Sequence, residues 1–120
     1  MTRKLLVTFL ALSVAISSFA QKWAPVGNNI KTEWASKIDP SNPLPEYPRP
    51  QMVRADWMNL NGLWNYAITE ASSEEFKADG QILVPFALES SLSGVGKRIT
   101  KKDALWYERE FTIPKKWKGR

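Results

Sequence analysis

Large apolar side chains recur at every second position in two stretches of this chain. From Leu63 to Thr69 the large apolar side chains fall at Trp64, Tyr66 and Ile68, with Asn65, Ala67 and Thr69 between them. A period of two marks a half-buried β-strand, because successive side chains leave opposite faces of the pleat. The same period runs from Leu105 to Ile113, with Leu105, Tyr107, Arg109, Phe111 and Ile113 on one side and Trp106, Glu108, Glu110 and Thr112 on the other. Arg109 interrupts the apolar side. Its guanidinium must therefore reach a carboxylate or the sheet margin, since an unpaired buried cation costs several kcal/mol. Gln81 to Pro85 forms a third, shorter strand, and a fourth is expected to begin near Trp117.

Elsewhere the pattern changes. Val53, Trp57 and Leu60 recur at i, i+4 and i+7, which predicts one or two helical turns that end at Asn61-Gly62. Glu70 to Gly80 is a polar loop with room for one helical turn, closing on Asp79-Gly80, a pair suited to a tight turn. Phe86 to Asp103 is a long irregular loop, of the kind that is either functional or poorly ordered. Sandwiches of the immunoglobulin or jelly-roll type use about seven or eight strands. Residues 51–120 thus encode roughly half of an all-β domain.

The first fifty residues have a different character. A basic start at Thr2-Arg3-Lys4, an apolar run from Leu5 to Ile16 and small residues at Ser17-Ser18-Phe19-Ala20 make residues 1–20 an expected signal peptide, cleaved after Ala20. A retained membrane anchor is the alternative, but spanning the hydrocarbon takes about 20 apolar residues and the run is shorter. Residues 21–50 hold six of the eight prolines, at 25, 40, 43, 45, 48 and 50, which fix φ and remove backbone donors. They read as a leader laid over the domain, with Trp23, Trp34, Ile38 and Leu44 pinned into grooves. Arg49, between two prolines, is expected to form a structural ion pair.

Composition narrows the chemistry. The chain has no cysteine and no histidine. That excludes disulfide staples, lipid attachment at a cysteine, Ser-His or Cys-His nucleophiles and the commonest zinc ligands. No cofactor and no metal site is expected. The formal charge of +5 falls by two when Arg3 and Lys4 leave with the signal. So mild a balance argues against nucleic acid as a partner, and no segment after the signal suits a membrane surface.

Four features invite a sharper reading, and each has a plainer one. Ser91 to Arg98 resembles a phosphate-binding loop, yet Ser91 stands at the first glycine position and Arg98 where a magnesium-binding hydroxyl is needed. Glycines that merely allow a bend are the simpler account. Glu108 and Glu110 share a strand face, but the spacing is about 6.6 Å along the strand, so a solvated polar face is favoured over a glycosidase pair. The basic cluster Lys97, Arg98, Lys101 and Lys102 could attract an acidic sugar such as a uronate, though exposed lysines contribute little without fixed geometry. Of the six tryptophans, at 23, 34, 57, 64, 106 and 117, most belong to packing. Trp106 shares a face with the two glutamates instead of the apolar set. It is the candidate for a sugar contact or an inter-domain contact.

One further pattern connects these pieces. Glu46-Tyr47-Pro48-Arg49-Pro50, Trp57 with Leu60-Asn61-Gly62-Leu63-Trp64, Ile82-Leu83-Val84-Pro85-Phe86, Leu92 to Lys97, and Trp106-Tyr107-Glu108-Arg109-Glu110-Phe111 with Pro114 follow one another in order and spacing. Together they resemble the opening of the N-terminal sugar-binding domain of glycoside hydrolase family 2, over roughly residues 32–120. The resemblance implies a partial jelly-roll β-sandwich of galactose-binding-like type, and a parent enzyme that hydrolyses β-glycosidic bonds with retention. The acid/base and nucleophile of that family are two glutamates on a later (β/α)8 barrel, and no residue here matches them. The expectation is therefore a non-catalytic N-terminal part, exported to the periplasm or beyond, whose partners are a β-linked glycoside and the downstream domains of the same enzyme. The family pattern runs on into another core strand where Lys118-Gly119-Arg120 stands, which suggests a truncated product. A free-standing carbohydrate-binding module and a sandwich without sugar affinity are the alternatives.

Overall fold

A computed structural model of the chain describes residues 23–119. The expected signal peptide, residues 1–20, lies outside them. The described part is β-rich, with one three-stranded antiparallel sheet and four short 3-10 turns. Strand β1 spans Gly62–Glu70, β2 Gly80–Val84 and β3 Asp103–Glu108, in the order β2-β1-β3. In register, Trp64 faces Ile82 and Tyr66 faces Gly80 on one side of β1, while Tyr66 faces Tyr107 and Ile68 faces Leu105 on the other.

The period-two reading of β1 places Trp64, Tyr66 and Ile68 on the core face, and the core forms there. Tyr66, Ile82 and Leu88 are buried, and Trp64, Ile68, Val84, Val95, Ile99 and Leu105 pack around them. Ile82 and Leu83, adjacent in β2, are both fully buried although they point to opposite faces. Each such side chain contributes about 1.5–3 kcal/mol by leaving water. Ala67 shares the second face and is also fully buried.

The 86–102 loop is built inward instead of trailing outward. Leu88, Val95 and Ile99 send side chains into the core. A 3-10 turn at Ser91–Ser93 is capped by Ser90, whose side chain accepts from the Leu92 amide, and ends at Gly94 in the left-handed region (φ 80°). Buried Ser93 ties the loop together. Its Oγ lies 3.0 Å from the Leu88 carbonyl and 2.7 Å from that of Ser90, and accepts from the amides of Val95 (3.0 Å) and Gly96 (3.3 Å).

Several expectations are corrected. No helical turns carry Val53, Trp57 and Leu60; a 3-10 turn covers only Pro50–Met52, and Val53 and Trp57 are exposed. Asparagine side chains dictate this. Asn59 and Asn61 donate to the carbonyls of Leu44 and Pro43, and the Asn59 side chain accepts from the Asn61 amide (2.7 Å), which commits the segment to an extended path. The third strand stops at Glu108 and does not reach Ile113, because Arg109 turns its side chain onto the end of the sheet. Phe111 and Ile113 are consequently exposed. The segment around Trp117 is a 3-10 turn at Lys115–Trp117, not a strand, closed by the Trp117 amide on the Pro114 carbonyl (2.9 Å). No helical turn forms between Glu70 and Gly80.

The leader is held in two places. Pro43 is fully buried beneath the asparagine bonds, and Trp57 meets Tyr47 edge-on with ring centroids 4.9 Å apart. Further upstream, the Val26 amide donates to the Ser91 carbonyl (3.0 Å) and Trp23 lies against Gly94. Trp34 and Leu44, by contrast, are exposed, and Lys37 stands over the Trp34 ring.

Candidate functional site

Trp106 follows from strand register. It lies opposite Ala67, on the face away from the main core, and remains 37% exposed. Its indole N–H donates to the Thr69 hydroxyl (2.9 Å), two residues along β1. An exposed tryptophan with a satisfied N–H keeps a ring face open for stacking at little polar cost. On the same face Asn65 donates its side-chain amide to the Glu108 carboxylate (3.3 Å). The patch thus combines an aromatic plane with an amide and a carboxylate, groups that can pair with the hydroxyls of a sugar.

Glu108 and Glu110 are not brought together as an acid pair. Glu108 is the last residue of β3 and is engaged by Asn65, while Glu110 lies beyond the strand, and both are exposed. The solvated reading fits.

Arg109 takes the margin, not a carboxylate. Its Nη1 donates to the carbonyls of Leu60 and of Asn61 (2.8 Å), and the guanidinium stands 6.0 Å from the Trp64 ring centroid. Trp64 also donates its indole N–H to the Leu60 carbonyl (2.8 Å). Gly62 makes the approach possible. Its φ is +132°, and a Cβ there would come 3.1 Å from Arg109 Nη1. Arg49 is different from expectation: among the described residues it has no ion pair, and the one salt bridge found joins Lys116 and Asp56 (2.9 Å).

The loop resembling a phosphate site spends its amides internally. Gly94 donates to the Ser91 carbonyl, and Val95 and Gly96 donate to Ser93 Oγ. The amides from Leu92 to Gly96 are thus committed within the loop and are not offered to an anion. Gly94 and Gly96 serve instead as close-approach positions, where a Cβ would meet Trp23 or Val26 at 2.8 Å. The glycines are signals for docking the leader, which local reading takes for a bend.

The basic cluster is held by its own turn. Asp103 accepts from the Thr100 amide (2.7 Å) and hydroxyl (2.8 Å), and these bonds hold its carboxyl below the ordinary value, the amide being the larger cause. Lys97, Arg98, Lys101 and Lys102 are exposed, and among the described residues none forms an ion pair. Tyr107 is shifted the other way: burial, and then the nearby Glu89 charge, push its phenol above 10.0.

A cleft of about 550 Å³ opens between the leader and the β1–β2 ribbon, lined by Trp23, Leu63, Tyr66, Asp79 and Gln81 among others. No sequence pattern points to it, because it is made by residues far apart in the chain. No protein family and no curated protein matches this chain.

Proposed function

We propose that this chain is the N-terminal, non-catalytic part of an exported β-glycosidase of the family 2 type, its sheet forming the first part of a galactose-binding-like jelly roll. What supports the reading is the physical joining of two of the motif pieces. Leu60-Asn61-Gly62-Leu63-Trp64 and Trp106-Tyr107-Glu108-Arg109-Glu110 are clasped by Arg109, which needs the glycine at 62 and the aromatic ring at 64 as well as the arginine itself. Three residue identities in two distant motifs are thus explained by one contact.

In the whole enzyme, two glutamates contributed by a later barrel carry out hydrolysis with retention through a glycosyl-enzyme intermediate. This part of the chain supports that barrel and presents Trp106 either to a β-linked glycan or to a neighbouring domain. The apolar row Tyr107, Phe111 and Ile113 is the surface that downstream strands cover. Residues 1–20 direct the product out of the cytoplasm.

The transcript beyond the Arg120 codon tests the proposal, together with hydrolysis of chromogenic β-galactosides, β-glucuronides and β-mannosides by the chain alone. A frame continuing through further strands into a barrel with two glutamates is expected, with no turnover by the 120-residue product. Turnover by this product defeats the reading. A stop codon at once favours the second one, a free-standing carbohydrate-binding module, for which the open ring of Trp106 is the supporting observation.

A further inference from the structure

The outer edge of β3 is open. The Ala71 amide donates to the Lys102 carbonyl (2.8 Å), which extends the β1–β3 register by one position. Hydrogen-bonded pairs alternate with non-bonded ones along an antiparallel ladder. Ala104, Trp106 and Glu108 therefore spend their backbone groups on β1, while Leu105 and Tyr107 turn theirs away from it. Among the described residues nothing takes these groups up, and β3 lies at the end of the strand order. Trp106 and Tyr107 remain 37% and 43% exposed, so solvent reaches this edge.

Open edges invite strand addition, and proteins ordinarily blunt them with charges, proline or a bulge. Ala104-Leu105-Trp106-Tyr107 carries neither charge nor proline, and its register against β1 runs without a break. The opposite edge of the sheet is closed by comparison. Leu83 in β2 is fully buried, its carbonyl accepts from the Phe86 amide (3.1 Å), and Pro85 follows without a donor. Association through the sheet is thus directed to β3.

The edge is complementary to itself in one register. The Asp103 amide is already given to the Thr100 carbonyl (3.1 Å), which leaves Leu105 and Tyr107 with both donor and acceptor free. A second copy running antiparallel, its Tyr107 opposite Leu105 and its Leu105 opposite Tyr107, satisfies all of these groups. Sliding one way sets Tyr107 against Asp103, whose spent amide leaves the Tyr107 carbonyl without a donor. In the matched register Trp106 meets its own counterpart on the dyad, in a non-hydrogen-bonded pair, where cross-strand side chains come closest. Carried two positions past Glu108, the register also sets Lys102 opposite Glu110 on both sides of the dyad. Both residues are exposed, and among the described residues neither forms an ion pair. Sliding the other way separates these charges. We propose that two copies of this chain join edge to edge through β3, as an isologous dimer with one continuous sheet to which each copy gives three strands. The inference stands on the edge and its register, not on the glycosidase reading.

The test uses the full chain, followed by sedimentation velocity from about 5 to 500 µM, and a reversible monomer–dimer equilibrium with Kd of about 10–100 µM is expected. Lys102→Glu alone sets acid against acid at both outer positions, and Glu110→Lys alone sets base against base; each is expected to weaken association about fivefold. Both sites are exposed, so the fold is not at stake. An equimolar mixture of the two variants brings opposite charges together at both positions, and the mixed dimer is expected to regain wild-type affinity. Amide exchange gives a second readout. Leu105 and Tyr107 should gain protection as concentration rises, while Ala104 and Trp106, already bonded to β1, should not change. A chain that stays monomeric throughout, assembly that continues past two copies, a mixture no tighter than its components, or concentration-dependent protection that spares Leu105 and Tyr107 would each overturn the proposal. A monomer can still belong to a glycosidase and a dimer can still lack a barrel, so the two readings fail separately.

Discussion

Replacing Arg109 by methionine keeps the apolar stem and removes the guanidinium. The loss includes donors to the Leu60 and Asn61 carbonyls and a cation over Trp64. A hydrogen bond from a charged group is worth about 1.5–3 kcal/mol and a partly exposed cation–π contact about 0.5–1. Half-burial of Arg109 reduces both, and the Leu60 carbonyl keeps the Trp64 indole N–H. A net destabilisation of about 2–3 kcal/mol is therefore expected, or about 10–20 °C in melting temperature for a domain of this size. Gly62→Ala supplies the second arm. At φ +132° any side chain is strained, by about 1–3 kcal/mol in either background. Only when Arg109 is present does the new Cβ also crowd Nη1, at 3.1 Å. The cost of Gly62→Ala should thus fall by about 1 kcal/mol in the Arg109→Met background, a coupling that a double-mutant cycle resolves. Urea unfolding followed by tryptophan fluorescence gives all four stabilities. The reasoning fails if Arg109→Met lies within about 0.5 kcal/mol of wild type, the range of ordinary surface changes, or if the two substitutions are additive.

Three other outcomes are expected. Ser93→Ala strips the acceptor from the Val95 and Gly96 amides, so the 86–102 loop should lose about 2–3 kcal/mol of stability and its Val95 amide should exchange much faster with solvent. Gly94→Ala forces a side chain into the left-handed region and into Trp23 at 2.8 Å; the leader should undock, seen as a red shift of tryptophan emission and early proteolysis near Val26. Asp103 is held below its ordinary value of 3.8, so the stabilisation it gives the Thr100 turn is complete above that pH and is lost as pH falls through the lowered value. Thr100 amide exchange should therefore accelerate in that acidic window in wild type and show no such step in Asp103→Ala.

The central strand was the most legible part of the fold. Trp64, Tyr66 and Ile68 announce β1 because a central strand must bury one face between two partners, and the register shows both. Phe111 and Ile113 continue the same rhythm without forming strand, since alternation reports what a segment could bury and not what lies beside it. The run Val53, Trp57 and Leu60 misleads for a related reason: its spacing suits a helix, but Asn59 and Asn61 bind carbonyls of the leader and outweigh it. Those asparagines were the available signal. The Tyr66 cleft and the seating of Trp23 on Gly94 depend on contacts between residues far apart in sequence, which no local pattern records. Trp106 was recognisable from its company with Glu108, though its bond to Thr69 was not.

Among the described residues, the strand that comes first in the chain sits in the middle of the order β2-β1-β3. On a ribosome, β1 can zip to its sequence neighbour β2 across a short connection, while its other edge waits through the whole 86–102 loop for β3. Closing a longer loop costs only slightly more entropy, but it slows assembly. Until then a hydrogen-bonding edge of the central strand is open to any passing chain, an interval in which a chaperone has most to contribute.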